Sequence, residues 1–275
     1  MTDTLEFKGF GKIPRLRRRI VIPEKIDGTN GAVGVLTERE PGFSDPRVQH
    51  VHPDGLALGV YAQSRKNIIT PERDNHGFAR WVHGNAEALA VILGPGIHFG
   101  EWWGSGIQRG YGLEKDDKRF SLFNTKRWAE LIQAVKAQVS GLEFPPGLGV
   151  VPVLYDGDFS DFAINLILAS LRVNGSQAVP GYMNPEGIVI YHTAGNLLFK
   201  VTLEKDVEPK GQVMAAERAG RNDAAAARKQ DDRQLELPFE QQPGHVLSHS
   251  EWNITEYIKD RYGSQVLDPP AGVGG

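Results

Sequence analysis

The 275-residue sequence predicts an α+β domain built on antiparallel β-sheets. Three observations carry that expectation. Short apolar runs of strand character recur from residue 20 to residue 203, and three helical stretches interrupt them. The two kinds of element do not alternate in the regular order of a parallel βαβ sheet. Hydrophobic residues make up 40% of the chain and charged residues 24%, enough for a sizeable core.

The strand runs are Ile20–Ile22, Ala32–Leu36, Leu58–Ala62, Ile97–Phe99, Phe120–Phe123, Val150–Leu154, Gly187–Tyr191 and Leu197–Leu203. Between the first two lies EKIDGTN (24–30). Asp27-Gly28 and Asn30-Gly31 are strong turn signals, and read locally they predict a hairpin with Lys25 as a solvated edge charge. The helical stretches are Phe78–Leu93, Thr125–Val139 and Phe162–Val173. The second has Trp128, Leu131, Ile132 and Val135 on one face. The third follows Asp161 as a plausible N-cap and stops at Asn174-Gly175. Residues 1–206 therefore read as one globular unit. Residues 207–249 read as a charged, alanine-rich linker, and 250–275 as a short docking helix with a disordered tail. That helix, Ser250–Tyr262, would dock through Trp252, Ile254, Tyr257 and Ile258.

Composition removes several classes of function. Without cysteine, disulfides, thiolate zinc sites and cysteine nucleophiles are all excluded. The N-terminus lacks the apolar core of a signal peptide, and no apolar run approaches a membrane span, so a cytoplasmic protein without membrane contact is expected. The net charge of −3 argues against a chain that binds nucleic acid by bulk charge, although Arg15, Arg17, Arg18 and Arg19 cluster locally. No P-loop motif is present, and GSGIQRGYG (104–112) is not the dinucleotide fingerprint. His50 with His52, and His245 with His249, have pair spacing but no evident third ligand.

Three further segments carry chemistry. In FGEWWGSGIQRGY (99–111), Glu101 follows an apolar strand and precedes two tryptophans. In NPEGIVIY (184–191), Glu186 precedes a glycine-led strand. In LFKVTL (198–203), Lys200 sits in a run otherwise fit for burial, where an unpaired charge is costly. Each has a plainer reading taken singly: a strand-end surface charge, core tryptophans, a turn acid, a lysine on an exposed strand face. Their order along the chain is more informative than any one of them.

That ordered set resembles the covalent nucleotidyltransferase superfamily of ATP-dependent RNA and DNA ligases and mRNA capping enzymes. EKIDGTN is similar to its first motif, Gln63-Ser64-Arg65 to the serine–arginine motif that follows, and FGEWWG to the third. FSLFN (120–124), PEGIVIY and LFKV are similar to the later motifs. The resemblance spans residues 10–206. The DGTN asparagine, AQSR (62–65) and FGEWWGSGIQRGYG point to its RNA ligase branch. It implies an ATP-grasp-like ligase domain of two antiparallel sheets with flanking helices, the nucleotide lying between the sheets.

It also implies ATP with Mg2+ or Mn2+, and RNA ends, nicked or broken, as substrate. Lys25 would carry the adenylate and Lys200 would assist it. Glu24, Ile26, Asp27, Asn30, Arg65, Glu101 and Phe123 would bind the nucleotide, with Glu101 on the ribose and Phe123 stacked on adenine. Glu186 would bind both nucleotide and metal. Two positions depart from the pattern: Thr202 stands where a second lysine is usual, with Lys205 nearby, and Asn124 stands where an aspartate is usual. A DNA ligase, and a non-catalytic protein that binds nucleotide or RNA ends on the same fold, are the alternatives.

Overall fold

The computed structural model describes residues 7–138 and 143–206. Eleven strands enter in chain order with the helices between them. They are β1 (Arg19–Lys25), β2 (Thr29–Thr37), β3 (Gln49–Val51), β4 (Leu58–Ser64) and β5 (Ile68–Ile69), then helices α1 (Phe78–Gly84) and α2 (Ala86–Leu93). There follow β6 (Gly96–Gly104), β7 (Lys118–Leu122), α3 (Thr125–Gln138), β8 (Leu148–Val150), β9 (Val153–Asp158), α4 (Asp161–Asn174), β10 (Gly187–His192) and β11 (Leu197–Thr202). Two sheets result. One is four-stranded, ordered β11-β10-β1-β9; the other is seven-stranded, ordered β3-β4-β2-β6-β7-β8 with β5 on β4. Every pairing is antiparallel except β7 with β8, which is parallel. The expected α+β class with two sheets and flanking helices is the observed one.

The expected hairpin is not. β1 lies between β10 and β9, whereas β2 lies between β4 and β6 in the other sheet. The physical reason is that β2 is a central strand, buried from Gly31 to Val35, and both its edges are already paired. Asp27-Gly28 therefore carries the chain from one sheet to the other. Gly28 is required there by proximity: a Cβ would meet the Trp102 carbonyl oxygen at 2.5 Å and the Trp103 Cβ at 2.7 Å.

A second crossing divides the expected strand Val150–Leu154. Val150 ends β8 in the large sheet, Val153 begins β9 in the small one, and Pro152 lies between. Proline has no N–H for a ladder, but its carbonyl accepts from the Glu24 amide at 2.9 Å and ties this crossing to β1. The expected helix Phe78–Leu93 likewise divides at Asn85, whose φ of −118° is not helical. Helix α4 is capped by Ser160 rather than Asp161. The Ser160 hydroxyl accepts from the Ala163 amide, and Asp161 falls in the first turn, where its charge suits the helix dipole.

Three apolar clusters hold this arrangement. Helices α1–α3 cover the large sheet through Phe78, Leu89 and Trp128, which join strand residues such as Trp102 and Phe120 in one cluster. Helix α4 covers the small sheet through Leu168 and Leu171 against Ile20, Ile22 and Ile188. A small cluster of Ile26, Trp103, Tyr111 and Val151 draws on both crossings and fastens the sheets together. The sequence divisions at 207–249 and 250–275 lie outside the described residues.

Gly28→Ala is expected to lower stability by about 1–3 kcal/mol through overpacking. Gly149→Ala, where a Cβ meets nothing within 4 Å, should stay near wild type. Urea denaturation of both variants checks the contrast.

Candidate active site

Strand alternation sorts the first motif into two faces. Ile20, Ile22 and Glu24 are buried on one side of β1, and Lys25 emerges on the other, opposite Gly187 of β10. Glu186, just before β10, then lies beside it. Lys25 Nζ donates to Glu186 Oε2 at 2.6 Å, both side chains being largely shielded from solvent. Glu101 comes from β6 of the other sheet, where it pairs with Asn30 of β2. The residue is half-buried by surface, and protein surrounds its carboxyl. That burial pushes its carboxyl up to about 8, against the opposing pull of the Lys25 charge. Neighbouring Glu186 and Asp27 push the same way as burial, and a hydrogen bond from the Gly28 backbone pulls down. Glu186 is also raised, chiefly by burial, with the Lys25 charge pulling against it.

Asp27 is held by two groups that sequence reasoning did not assign to the site. Arg109 Nε donates to Asp27 Oδ2 at 3.0 Å, and the Tyr111 hydroxyl accepts from the Asp27 amide at 2.8 Å. The same guanidinium donates to the Asn184 carbonyl at 3.3 Å and to Glu204 Oε1 at 2.7 Å. Arg109 thus ties the loop after β6 to the sheet crossing, to the approach to Glu186 and to the exit from β11. A planar five-donor fork suits this better than a lysine would. The loop is tightly wound: Gly104, Gly106, Gln108, Gly110, Tyr111 and Gly112 all have positive φ. The glycine density of GSGIQRGYG was the available signal.

The remaining expected residues are distributed as follows. Glu24 faces away from Lys25; its Oε2 accepts from the Gln177 and Ala178 amides at 2.8 and 3.0 Å. Its Oε1 is buried with no hydrogen-bond partner. Ile26 is buried in the inter-sheet cluster, and Phe123, just after β7, packs against it. Arg65 follows β4 on an exposed turn. Lys200 pairs with Val189 and is exposed, and its charge acts on Asp206. Lys25, Gly187 and Thr202 stand in one row across three strands, so their Cβ directions share a face. Thr202 is already engaged, its amide and hydroxyl both donating to Asp206 Oδ2 at 2.8 Å.

Trp102 and Trp103 are core, the latter donating to the Ser121 hydroxyl. His50 bonds the Phe43 carbonyl, while His245 and His249 lie outside the described residues. Among the described residues, no three histidine or acidic side chains stand together as a preformed metal cage.

A family model described as RNA ligase matches residues 18–202, and the chain belongs to that family. Among solved structures, a Naegleria gruberi RNA ligase mutant with ATP and Mn is similar at 17% identity and TM-score 0.43. The match covers 68% of this chain and 50% of that one. An archaeal ATP-dependent RNA ligase is similar at 17% identity and TM-score 0.41, over 71% of this chain and 48% of that one. This chain thus spans about half the length of the solved relatives it matches. No curated protein matches it.

The raised Glu101 carboxyl has a consequence for stability. Its folded-state value exceeds the unfolded one, so the native state holds the proton more tightly. That contribution is complete below the ordinary carboxylate range and is lost as pH rises to about 8. Glu101→Gln should flatten this window. Discounted for its partial exposure, the difference is on the order of 1–3 kcal/mol. Denaturation midpoints of both proteins from acid to alkaline pH check it.

Proposed function

We propose that this protein is an ATP-dependent RNA ligase that works through a lysyl-adenylate on Lys25, with residues 1–206 as its nucleotidyltransferase domain. The observation that carries the reading is the 2.6 Å contact of Lys25 with Glu186 beside Glu101. A lysine shielded among carboxylates at the junction of two sheets is placed for chemistry rather than for solvation.

The amine of Lys25 attacks the α-phosphorus of ATP. The nitrogen–phosphorus bond forms as the bond to pyrophosphate breaks, and the amine gives up its proton. An ordinary lysine has a pKa near 10.4, so it must be deprotonated to react. Glu186 Oε2 is the acceptor within reach of that proton, and burial raises its affinity for it. The adenylate then passes to a 5′-phosphate of RNA, freeing Lys25. A 3′-hydroxyl attacks the activated end and AMP departs.

The remaining side chains suit the nucleotide. The unpartnered buried Glu24 Oε1 is an acceptor for a nucleobase amino group. Ile26 and Phe123 offer an apolar wall and a ring for stacking, and Glu101 accepts from the ribose. Asp27 and Asn30 shape the pocket floor. Arg65 is suited to the ribose or to the incoming 5′-phosphate, and Lys200 to the nucleotide phosphates. The donor set also fits a divalent cation. Mg2+ is commonly held by one or two carboxylates plus phosphate and water, and Glu186 with Glu101 would supply those carboxylates. Mg2+ or Mn2+ would neutralise charge on the phosphates.

A second reading, nucleotide or RNA-end binding without catalysis, rests on Thr202: its hydroxyl is spent on Asp206, leaving Lys200 as the cation of β11. Sealing of DNA ends is the alternative substrate reading.

Incubation with α-labelled ATP and Mg2+ tests the proposal. Label should remain on the protein through SDS, vanish in Lys25→Ala, and fall at least about tenfold in Glu186→Gln, a loss of roughly 1.4 kcal/mol of barrier lowering. A wild-type chain that takes no label supports the binding reading instead. Nicked RNA and nicked DNA given to the labelled protein separate the two substrates.

A further inference from the structure

Helix α4 is apolar on two sides. Its inner side packs on the small sheet through Ile164, Ile167, Leu168 and Leu171. Its outer side carries Phe162, Leu166, Ala169 and Val173, the spacing of a helix–helix seam. Phe162, Leu166 and Val173 are 76%, 58% and 73% exposed. Strand β11 carries a second apolar patch on the α4 side of the sheet. Val201 packs into the α4 core, so alternation turns Leu197 and Phe199 to the same side of the sheet, and Phe199 is 52% exposed. Helix α4 packs over β9 and β10, while β11 is the sheet's outer strand among the described residues. Apolar surface clustered on one side of a soluble fold marks a place where something docks.

The chain itself leads there. Leu203 belongs to the α4 core, and Arg172 of the last α4 turn donates to its carbonyl at 3.4 Å. The described chain ends three residues later. Residues 250–262, SEWNITEYIKDRY, place Ile254, Tyr257, Ile258 and Tyr262 at helical spacing with Trp252 nearby. Residues 207–249 separate the two, and a coil of that length reaches roughly 36 Å. The whole of α4 is only about 21 Å long.

We infer that residues 250–262 of the same chain dock, through Ile254, Tyr257 and Ile258, on the strip formed by Phe162, Leu166 and Val173 of α4. Tethering favours this occupant over a second copy. One short helix face falls below the area of about 1,200 Å² that a stable separate partner needs. A segment on the same chain meets the strip at a millimolar effective concentration, so a weak contact suffices. The inference does not depend on the proposed ligase chemistry, because α4 lies across the small sheet from the Lys25 side chain.

The absence of cysteine makes the test direct. In the full chain, Leu166→Cys is combined with Ile258→Cys and treated with a short bis-maleimide. Leu166 lies outside the buried clusters, and circular dichroism confirms the fold of each variant. An intrachain link is expected, seen as a faster-migrating monomer that tolerates dilution. It should drop to the level of a control pair, Glu38→Cys with Ile258→Cys, when Ile254→Asp and Tyr257→Asp are added. Two results overturn the inference: linking no better than that control, or links mainly between chains, which would make a second copy the occupant.

Discussion

Lys25 meets Glu186 because two antiparallel strands of one sheet are held in a single register. Lys25 opposes Gly187, and the residue before Gly187 is Glu186. Gly187 has a φ of +153°, and a Cβ there would come within 2.1 Å of the Val201 carbonyl oxygen. Glycine is thus needed for β10 to run close to β11 while the Glu186 carboxylate turns toward the lysine. The third partner, Glu101, reaches the same place only because the chain leaves the first sheet immediately after Lys25 and enters the second within four residues. The candidate site is a junction, and its two halves are joined by the peptide that carries Lys25.

That junction concentrates negative charge. Burial raises the Glu101 and Glu186 carboxyls, and the neighbouring Asp27 charge pushes both the same way. The counter-charges are Lys25 and Arg109, and Arg109 reaches Asp27, Asn184 and Glu204 together. Such a cluster opposes folding unless its members are paired or protonated. A polyphosphate bound with a divalent cation would alter that balance, since the metal would take over neutralisation of the carboxylates.

Much of this was legible in the sequence. Alternating or continuous apolar runs marked nearly every long strand, because burial leaves a local pattern. Lys25, Glu101 and Glu186 were legible as candidates because each sits at a strand end or in a strand where a charge is out of place; Lys200, read the same way, is exposed on β11. What was not legible was pairing. Asp27-Gly28 gives the same local signal whether the next strand returns to its neighbour or crosses to another sheet; the occupied edges of β2 decide, and they lie far along the chain. The same holds for Val150–Leu154, where one proline splits a run between sheets. Arg109 could be read only as one of several basic residues near the motifs, because its charged partners lie 82 and 95 residues away. The substitution at Thr202 was visible, but its engagement with Asp206 was not.

The central claim is that Lys25, and no other amino group, is the one placed to bond phosphorus. Tandem mass spectrometry of the protein after exposure to ATP and Mg2+ measures this most directly, with proteolysis at a pH that preserves phosphoramidates. The account predicts one adenylate, on the peptide containing Lys25 and fragmenting at that residue. Adenylate on Lys200 or any other side chain, or nucleotide that is bound but never covalently attached, would contradict it.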